Sequence, residues 1–235
     1  RSFEGFACPD TMTEEEFRAE IDEFAKTLDI PEGIEPFTYA SCVWGFNHIR
    51  KAEGLGIFCH PYWLSNVHQV PENITDYMLK THPFDAFEVL GGENYYEQNG
   101  FQTAAYYEEY KAGNVLPIVG STDSHGSTEH NRNGDICSTI VFAKQNERVA
   151  LIDAIKEKYS LAVDTISKEY RLVGDFRLIK YGSFLMENYF PLHDLACEAE
   201  GYYMNRYIAG DSRAHAILKA MKGQQKDMME KYFKL

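Results

Sequence analysis

Residues 115–126 read VLPIVGSTDSHG, an apolar run that opens into a loop of small and polar residues. The apolar part has the length and composition of a buried strand. Asp123 and His125 follow it two residues apart, and positions i and i+2 of an extended chain point to the same side. If the extended geometry persists, both could bind one zinc or manganese ion, since such ions accept carboxylate and imidazole ligands. A loop Asp also commonly caps a turn or a helix, so the tripeptide alone leaves both interpretations open.

Two other apolar runs are built in the same way. Residues 55–61 read LGIFCHP, and residues 84–92 read FDAFEVLGG. The three runs recur about thirty residues apart with helical patterns between them, which is the spacing of βα units in a parallel sheet or barrel. Functional residues collect at the carboxyl ends of such strands, so we expect one shared metal-binding rim. The predicted ligands on this rim are His60, Glu88, Asp123 and His125.

The same residues also have a structural interpretation. His60 could be satisfied by a backbone carbonyl, and Glu88 could be a solvated strand end. The combination of three similar strand ends favours the metal site.

Bulk composition limits the partners. The chain has 235 residues, with 23 basic and 36 acidic side chains and a formal charge of -13. This charge argues against a nucleic-acid backbone or an anionic membrane as the main partner. No apolar stretch reaches the length of a membrane span and no signal peptide is visible, so we expect a cytoplasmic protein.

The five cysteines are scattered without CxxC spacing, which indicates small buried hydrophobes rather than a disulfide framework. Alternation predicts that Cys59 faces away from the side of His60.

Hydrophobic periodicity divides the chain into two parts. Residues 1–167 alternate between helical and extended patterns, beginning with a capping box at Thr13 and Glu16. From residue 168 the pattern is helical, with helices predicted over 172–189, 191–207 and 211–232. We expect residues 168–235 to form a helical appendage that packs on the domain or forms a homo-oligomer surface. Its many aromatic residues are interpreted as packing rather than base stacking, given the acidic charge.

The rim residues resemble the C-terminal part of the PHP family, the polymerase and histidinol phosphatase domain. The resemblance covers about residues 40–170 and rests on four elements. These are the His60-Pro61 strand end, the Phe87-Glu88-Val89 strand, the STDSH motif at 121–125 and the strand-helix-strand pattern over 138–163. It implies a distorted seven-stranded β/α barrel, similar to a TIM barrel, that holds up to three zinc, manganese or iron ions. It also implies that His60, Asp123 and His125 are metal ligands and that the reaction is phosphoester hydrolysis.

One part of the family pattern is missing from this sequence. The family opens with His-x-His on its first strand and supplies a further His and a Glu before the His-Pro strand end. Here the first histidine is His48. We therefore expect an α/β fold that is a partial or distorted PHP-type (β/α)7 barrel lacking N-terminal strands. Either the gene product is longer, or the protein is a natural remnant with an incomplete site.

These expectations lead to two main functional hypotheses. In the first, the protein is a metal-dependent phosphoesterase that hydrolyses a small phosphorylated substrate with metal-activated water. Arg132 could then bind a phosphate bidentately, although a loop Arg is by default a surface residue. His68 and His130 could ligate metal or shuttle protons. In the second, the chain is a non-catalytic binding or oligomerisation module with at most one metal ion. A single-zinc hydrolase of another substrate class remains a third possibility, and no motif identifies the substrate.

Overall fold

The computed structural model describes residues 4–63, 69–91, 96–123, 137–165 and 171–233. The strands in these ranges are β1 (Ile57–Phe58), β2 (Ala86–Leu90), β3 (Ile118–Gly120), β4 (Cys137–Val141), β5 (Ser160–Asp164) and β6 (Arg171–Val173). The helices are α1 (Glu14–Ala25), α2 (Pro36–Lys51), α3 (Glu72–Thr81), α4 (Tyr96–Lys111), α5 (Arg148–Lys156), α6 (Phe176–Asn188), α7 (Phe190–Ile208), α8 (Ser212–Met221) and α9 (Gln224–Phe233).

Helix α1 begins at the capping box predicted from the sequence. The Thr13 hydroxyl accepts a hydrogen bond from the Glu16 backbone N–H at 3.2 Å, and the Glu16 carboxylate accepts one from the Thr13 N–H at 2.9 Å. These bonds satisfy amide groups that a helix start leaves without partners. The apolar face of the helix is buried through Phe17 and Ile21, with Phe17 packed edge-on against Trp44 of α2. The predicted first helix is therefore confirmed.

Strands β1, β2 and β3 form a parallel sheet in that order. The register pairs Ile57 with Ala86 and Phe87 with Ile118. Helix α3 connects the first two strands and α4 connects the next two, so the predicted βα alternation is confirmed. Every residue of β2 is buried, because the central strand of a parallel sheet is covered on both faces. The three carboxyl ends consequently meet at one edge.

Strands β4, β5 and β6 form a second sheet that is antiparallel. The predicted strand-helix-strand segment is present, but β5 pairs with β4 in antiparallel orientation instead of joining a parallel sheet. The helix predicted from Leu172 is wrong at its start. Leu172 lies in β6, where it pairs with Val163 of β5, and α6 begins only at Phe176. Pairing with a strand distant in sequence overrides a local helical pattern here.

The fold is α/β, as expected, but the described strands do not close into a barrel. The two sheets meet where β3 ends. Gly120 donates to the Thr139 hydroxyl at 3.0 Å, and this hydroxyl donates back to the Gly120 carbonyl at 2.6 Å. A side chain at Gly120 would place Cβ 2.4 Å from the Ser138 carbonyl oxygen, so only glycine permits this approach.

Contacts divide the chain into two compact units, Arg1–Leu178 and Ile179–Leu235. The first contains both sheets and helices α1 to α5. The second contains most of α6 and all of α7, α8 and α9. The single helix predicted over 211–232 is in fact two helices, because the chain turns at Gly223, which has a φ of 95°. None of the helices in the described ranges is both long and apolar enough to cross a bilayer.

Candidate functional site

His60 and Glu88 meet at the carboxyl edge of the parallel sheet. His60 follows β1, and Glu88 lies on the neighbouring strand β2. The His60 backbone N–H donates to Glu88 Oε2 at 2.8 Å, and the imidazole Nδ1 lies 3.9 Å from the same oxygen. The Trp63 ring packs edge-on against the His60 ring, with centroids 5.0 Å apart. The predicted proximity of these two strand ends is therefore present in the fold.

The Glu88 carboxylate is not solvated. The residue is 2% exposed, and its second oxygen, Oε1, accepts a short hydrogen bond from the Ser121 hydroxyl. Ser121 is itself held in place, since its N–H donates to the Leu90 carbonyl at 3.0 Å and extends the β2–β3 ladder beyond the end of β3. Both carboxylate oxygens are thus oriented by groups on the adjacent strands. The alternative that Glu88 is a solvated strand end is wrong.

The surroundings of Glu88 favour its protonated form. Burial is the largest effect and raises the pKa of this carboxyl. The charge of His60 and the hydrogen bonds from Ser121 and the His60 N–H act in the opposite direction, while the charge of Asp123 raises the pKa further. The net result is a pKa above the ordinary value for Glu. A buried carboxyl with a raised pKa, set among other ionisable groups, is a common feature of functional sites.

Asp123 reaches the site by a different geometry from the predicted one. Strand β3 ends at Gly120, and Asp123 has a left-handed φ of 50°. The extended conformation that the alternation argument required therefore does not persist to Asp123, and the pairing of Asp123 with His125 stays a prediction. His60, which follows β1, is also left-handed, with a φ of 32°. Such a φ is uncommon outside glycine and costs roughly 1 kcal/mol or more per residue.

The same acidic groups also affect the pKa of the Cys59 thiol. Burial raises the pKa of Cys59 to about 12, and the charges of Glu88 and Asp123 contribute in the same direction. Alternation along the strand predicts a thiol that faces away from the ligand side, but both acids act on it. Cys137 lies near the site as well, because burial and the charges of Asp164 and Glu88 raise its pKa to about 12. At neutral pH both thiols are protonated in the metal-free protein.

Helix α4 lines the inner side of the site with carboxamides. Gln102 Nε2 donates to the Glu88 carbonyl at 3.0 Å, and Asn99 forms two hydrogen bonds with the backbone of Gly91. The Oε1 atoms of Gln98 and Gln102 are buried without a hydrogen-bond partner among the described residues. Sequence reasoning missed this layer. The available signal was the polar trio at 98, 99 and 102, which falls on a helix face that should be apolar.

Several predicted residues fall outside the described ranges. His125, one of the four predicted ligands, lies in the segment 124–136 that the structure does not describe. The predicted phosphate-binding residue Arg132 and the loop histidine His130 lie in the same segment, and His68 lies in 64–68. Their predicted roles therefore stay predictions.

The residues at the rim fit a divalent ion in part. Imidazole and carboxylate are donors that zinc, manganese and iron accept, and Glu88 and His60 are held close together. Across the described ranges, however, no group of three or more His, Cys, Asp or Glu side chains is arranged to hold a metal ion. The described part of the rim thus supplies a donor pair that requires further ligands.

Comparison of the chain with protein-family models, with curated proteins and with solved structures found no match.

Proposed function

We propose that the rim formed by His60, Glu88 and Asp123 binds divalent metal ions and hydrolyses a small phosphorylated substrate. The observation that carries this proposal is the buried Glu88 carboxyl on the central parallel strand β2, with a raised pKa and with His60 beside it where β1 ends. The ions would be zinc, manganese or iron, up to three, with His125 as a further ligand and Arg132 on the phosphate. The finer fold proposed with this function is a partial PHP-type barrel that lacks its N-terminal strands.

Each described residue has a defined task in this proposal. A divalent ion, when bound, supplies hydroxide near neutral pH and neutralises phosphoryl oxygens. Glu88 and the His60 imidazole would hold it, and Asp123 would add negative charge that attracts it. The His60 N–H and the Ser121 hydroxyl fix the orientation of the Glu88 carboxylate. Burial of Glu88 keeps water from competing for its oxygens.

Turnover of p-nitrophenyl phosphate and of its diester tests the proposal. Metal-free protein would be supplied with Mn²⁺, Zn²⁺ or Fe²⁺, and the ions bound per chain would be counted in parallel. We expect Glu88→Gln to lower kcat/KM by at least about 100-fold, because the substitution removes the central carboxylate ligand while preserving its shape. Asp123→Asn should lower it less.

Glu108→Gln on the exposed last turn of α4 is the matched control, since it removes the same charge at the helix end that leads into the start of β3, opposite the carboxyl edge. It should leave metal content and turnover unchanged. Equal activity in wild type and Glu88→Gln would show that the rim is not the active site. Absence of turnover with all three ions would remove the phosphoesterase proposal.

A specific observation favours the alternative, a non-catalytic module. Both Glu88 oxygens already accept hydrogen bonds from protein donors, which is how a structural buried carboxylate is satisfied. In that case the site would bind at most one ion and turn nothing over. Metal that is bound stoichiometrically, lost in Glu88→Gln and accompanied by no hydrolysis would support the module.

A further inference from the structure

The second sheet contributes a cation to the carboxyl edge of the parallel sheet. Asp164, the last residue of β5, pairs in register with Cys137 of β4 and with Arg171 of β6. Nη2 of Arg171 lies 3.2 Å from the Asp164 carboxylate. We propose that Arg171 binds the phosphate group of the substrate and that Asp164 holds the guanidinium in position. This inference rests on the proposed function, because that reaction brings a phosphorylated anion to the rim.

The register places the Arg171 side chain on the face that packs on the parallel sheet. Residues directly opposite each other in an antiparallel sheet extend their side chains from the same face, so Cys137, Asp164 and Arg171 share one face. Alternation places Ala162 and Val173 on this face as well. Both belong to the buried core that also contains apolar residues of β2 and β3. Arg171 therefore lies on the inner face of the second sheet.

Asp164 lies beyond the carboxyl end of β3. The Ser160 hydroxyl donates to the Ile118 carbonyl at 2.7 Å, and a Cβ at Gly120 would lie 3.3 Å from the Ala162 Cβ. Strands β3 and β5 thus advance in the same direction, two residues at a time. Because β3 ends at Gly120, Asp164 and its pairing partners reach past this end to the level of the rim.

A short series of contacts connects this end of the second sheet with Glu88. The Cys137 thiol donates to the Gly91 carbonyl at 3.3 Å, and a Cβ at Gly91 would lie 3.3 Å from Glu88 Oε2. The charges of Glu88 and Arg171 both act on this thiol, since the first raises its pKa and the second lowers it. Arg171 and Glu88 consequently belong to the same edge of the fold.

The burial of the ion pair is suited to binding an anion. The Asp164 side chain is 4% exposed and the Arg171 side chain is 41% exposed, so a buried carboxylate holds a cation that solvent and ligands can reach. A guanidinium has five N–H donors in a rigid fork, and the contact with Asp164 involves Nη2. One carboxylate does not saturate these donors, and arginine binds phosphate oxygens bidentately.

The acidic character of the protein makes such a cation necessary. The formal charge of the chain is -13, and Glu88 and Asp123 add carboxylates at the rim itself. A phosphate ester that approaches this edge is repelled unless positive charge lies next to its oxygens. Arg171 supplies that charge from the strand side, in addition to any bound metal ion.

Calorimetric titration of the full chain with inorganic phosphate tests the inference, first without metal and then with Mn²⁺. We expect saturation at one phosphate per chain in at least one of the two forms. Arg171→Gln should weaken binding by at least about 10-fold. Arg171→Lys keeps the charge and a pair with Asp164 but loses the fork, and should weaken binding by about 3-fold to 10-fold. Thermal unfolding without phosphate should give the same midpoint for Arg171→Lys and wild type, which separates lost affinity from lost structure.

Arg148→Gln is the matched control. Arg148 is also an exposed arginine paired with a carboxylate, because its Nη2 lies 3.0 Å from Glu53 Oε2. Glu53 precedes β1, so this pair lies at the amino edge of the parallel sheet, and its loss should leave phosphate affinity unchanged. Absence of phosphate binding in both forms, equal affinity in wild type and Arg171→Gln, or an equal loss in Arg148→Gln would each overturn the inference.

The outcome can be separated from that of the proposed function. Phosphate binding that depends on Arg171, without hydrolysis of either ester, would support this inference and remove the phosphoesterase proposal. Hydrolysis with the same KM in wild type and Arg171→Gln would support the phosphoesterase and overturn the role of Arg171.

Discussion

Asp85 and Glu88 lie three residues apart, the first just before the buried strand β2 and the second at its centre, and their surroundings shift their pKa values in opposite directions. Asp85 precedes β2, where its Oδ1 accepts from Arg50 Nε at 2.8 Å and lies 3.4 Å from Lys156 Nζ. Its Oδ2 accepts from the Gly56 N–H at 2.9 Å. Burial alone would raise the pKa of Asp85, but these partners outweigh burial and lower it.

Within the part of the chain that the structure describes, Glu88 has no comparable set of cations. Its described neighbours include Asp123, which raises its pKa, and the hydrogen bonds from His60 and Ser121 do not overcome burial. The carboxylate with sufficient counter-charge is structural, whereas the one without it retains capacity to bind a cation. The difference between these two acids teaches that charge balance, more than burial, separates a structural carboxylate from a candidate site.

Asp85→Asn should have the largest effect on stability. The substitution leaves Arg50 and Lys156 without their carboxylate and should reduce the free energy of unfolding by about 2 to 3 kcal/mol. Urea denaturation would measure the change. Glu23→Gln breaks an exposed pair with Lys26 and should change stability by less than about 0.5 kcal/mol. If both variants lose the same amount, the Asp85 network is no stronger than a surface pair.

Glu88→Gln should raise the free energy of unfolding, which is the opposite of the effect expected for Asp85→Asn. In metal-free protein, it replaces an ionisable group whose charged form is disfavoured by burial with a permanently neutral group of the same shape. We expect a gain of about 1 kcal/mol in unfolding free energy, as is common when a functional site is neutralised. Thermal unfolding with a chelator present would detect it. A destabilised Glu88→Gln would mean that the ionised carboxylate is balanced after all.

Changing the pH should sharpen the contrast. The folded-state pKa of Asp85 is lowered, so its stabilising contribution is present above the unfolded pKa of about 3.9 and is lost as pH falls through the folded value. The folded-state pKa of Glu88 is raised, so wild type loses stability relative to Glu88→Gln as pH rises from about 4.3 through the folded value. Urea unfolding at each pH would give the unfolding free energy of wild type minus that of each variant. This difference should rise from its low-pH value for Asp85→Asn as pH increases, and it should fall for Glu88→Gln. Parallel curves would contradict the assignment.

Asp123→Asn should give the smallest change. It removes one negative charge near Glu88, and Asn tolerates the left-handed φ at this position. We expect the pKa of Glu88 to fall and stability to rise by a few tenths of a kcal/mol. Carbon-13 titration of the Glu88 carboxyl in metal-free protein would report the shift. An unchanged Glu88 pKa would show that Asp123 does not act on it.

Local patterns in the sequence were sufficient to predict the parallel half of the fold. Each of the runs at 55–61, 84–92 and 115–120 combines an apolar strand pattern with a Pro or Gly that ends it, and both features can be read from neighbouring residues. The antiparallel sheet was harder to predict, because the pairing of Leu172 with Val163 depends on a contact that no local pattern contains.

The same division applies to the site. The meeting of His60 with Glu88 follows from the parallel order of the strands, so sequence reasoning could predict it. The left-handed turn at Asp123 could not be predicted, since it depends on where β3 ends rather than on the type of residue. The carboxamides of α4 escaped notice because Gln and Asn on a helix usually face water.

The hydroxyl groups that meet β3 also have a consequence for solubility. β3 is the last strand of its sheet, and its outer backbone groups would otherwise be available to a strand from another molecule. The Ser160 hydroxyl donates to the Ile118 carbonyl at 2.7 Å, and the Thr139 hydroxyl occupies both the N–H and the carbonyl of Gly120. The two hydroxyls thus satisfy backbone groups of β3 where β4 and β5 lie against it, so this sheet edge is closed to a strand from another molecule.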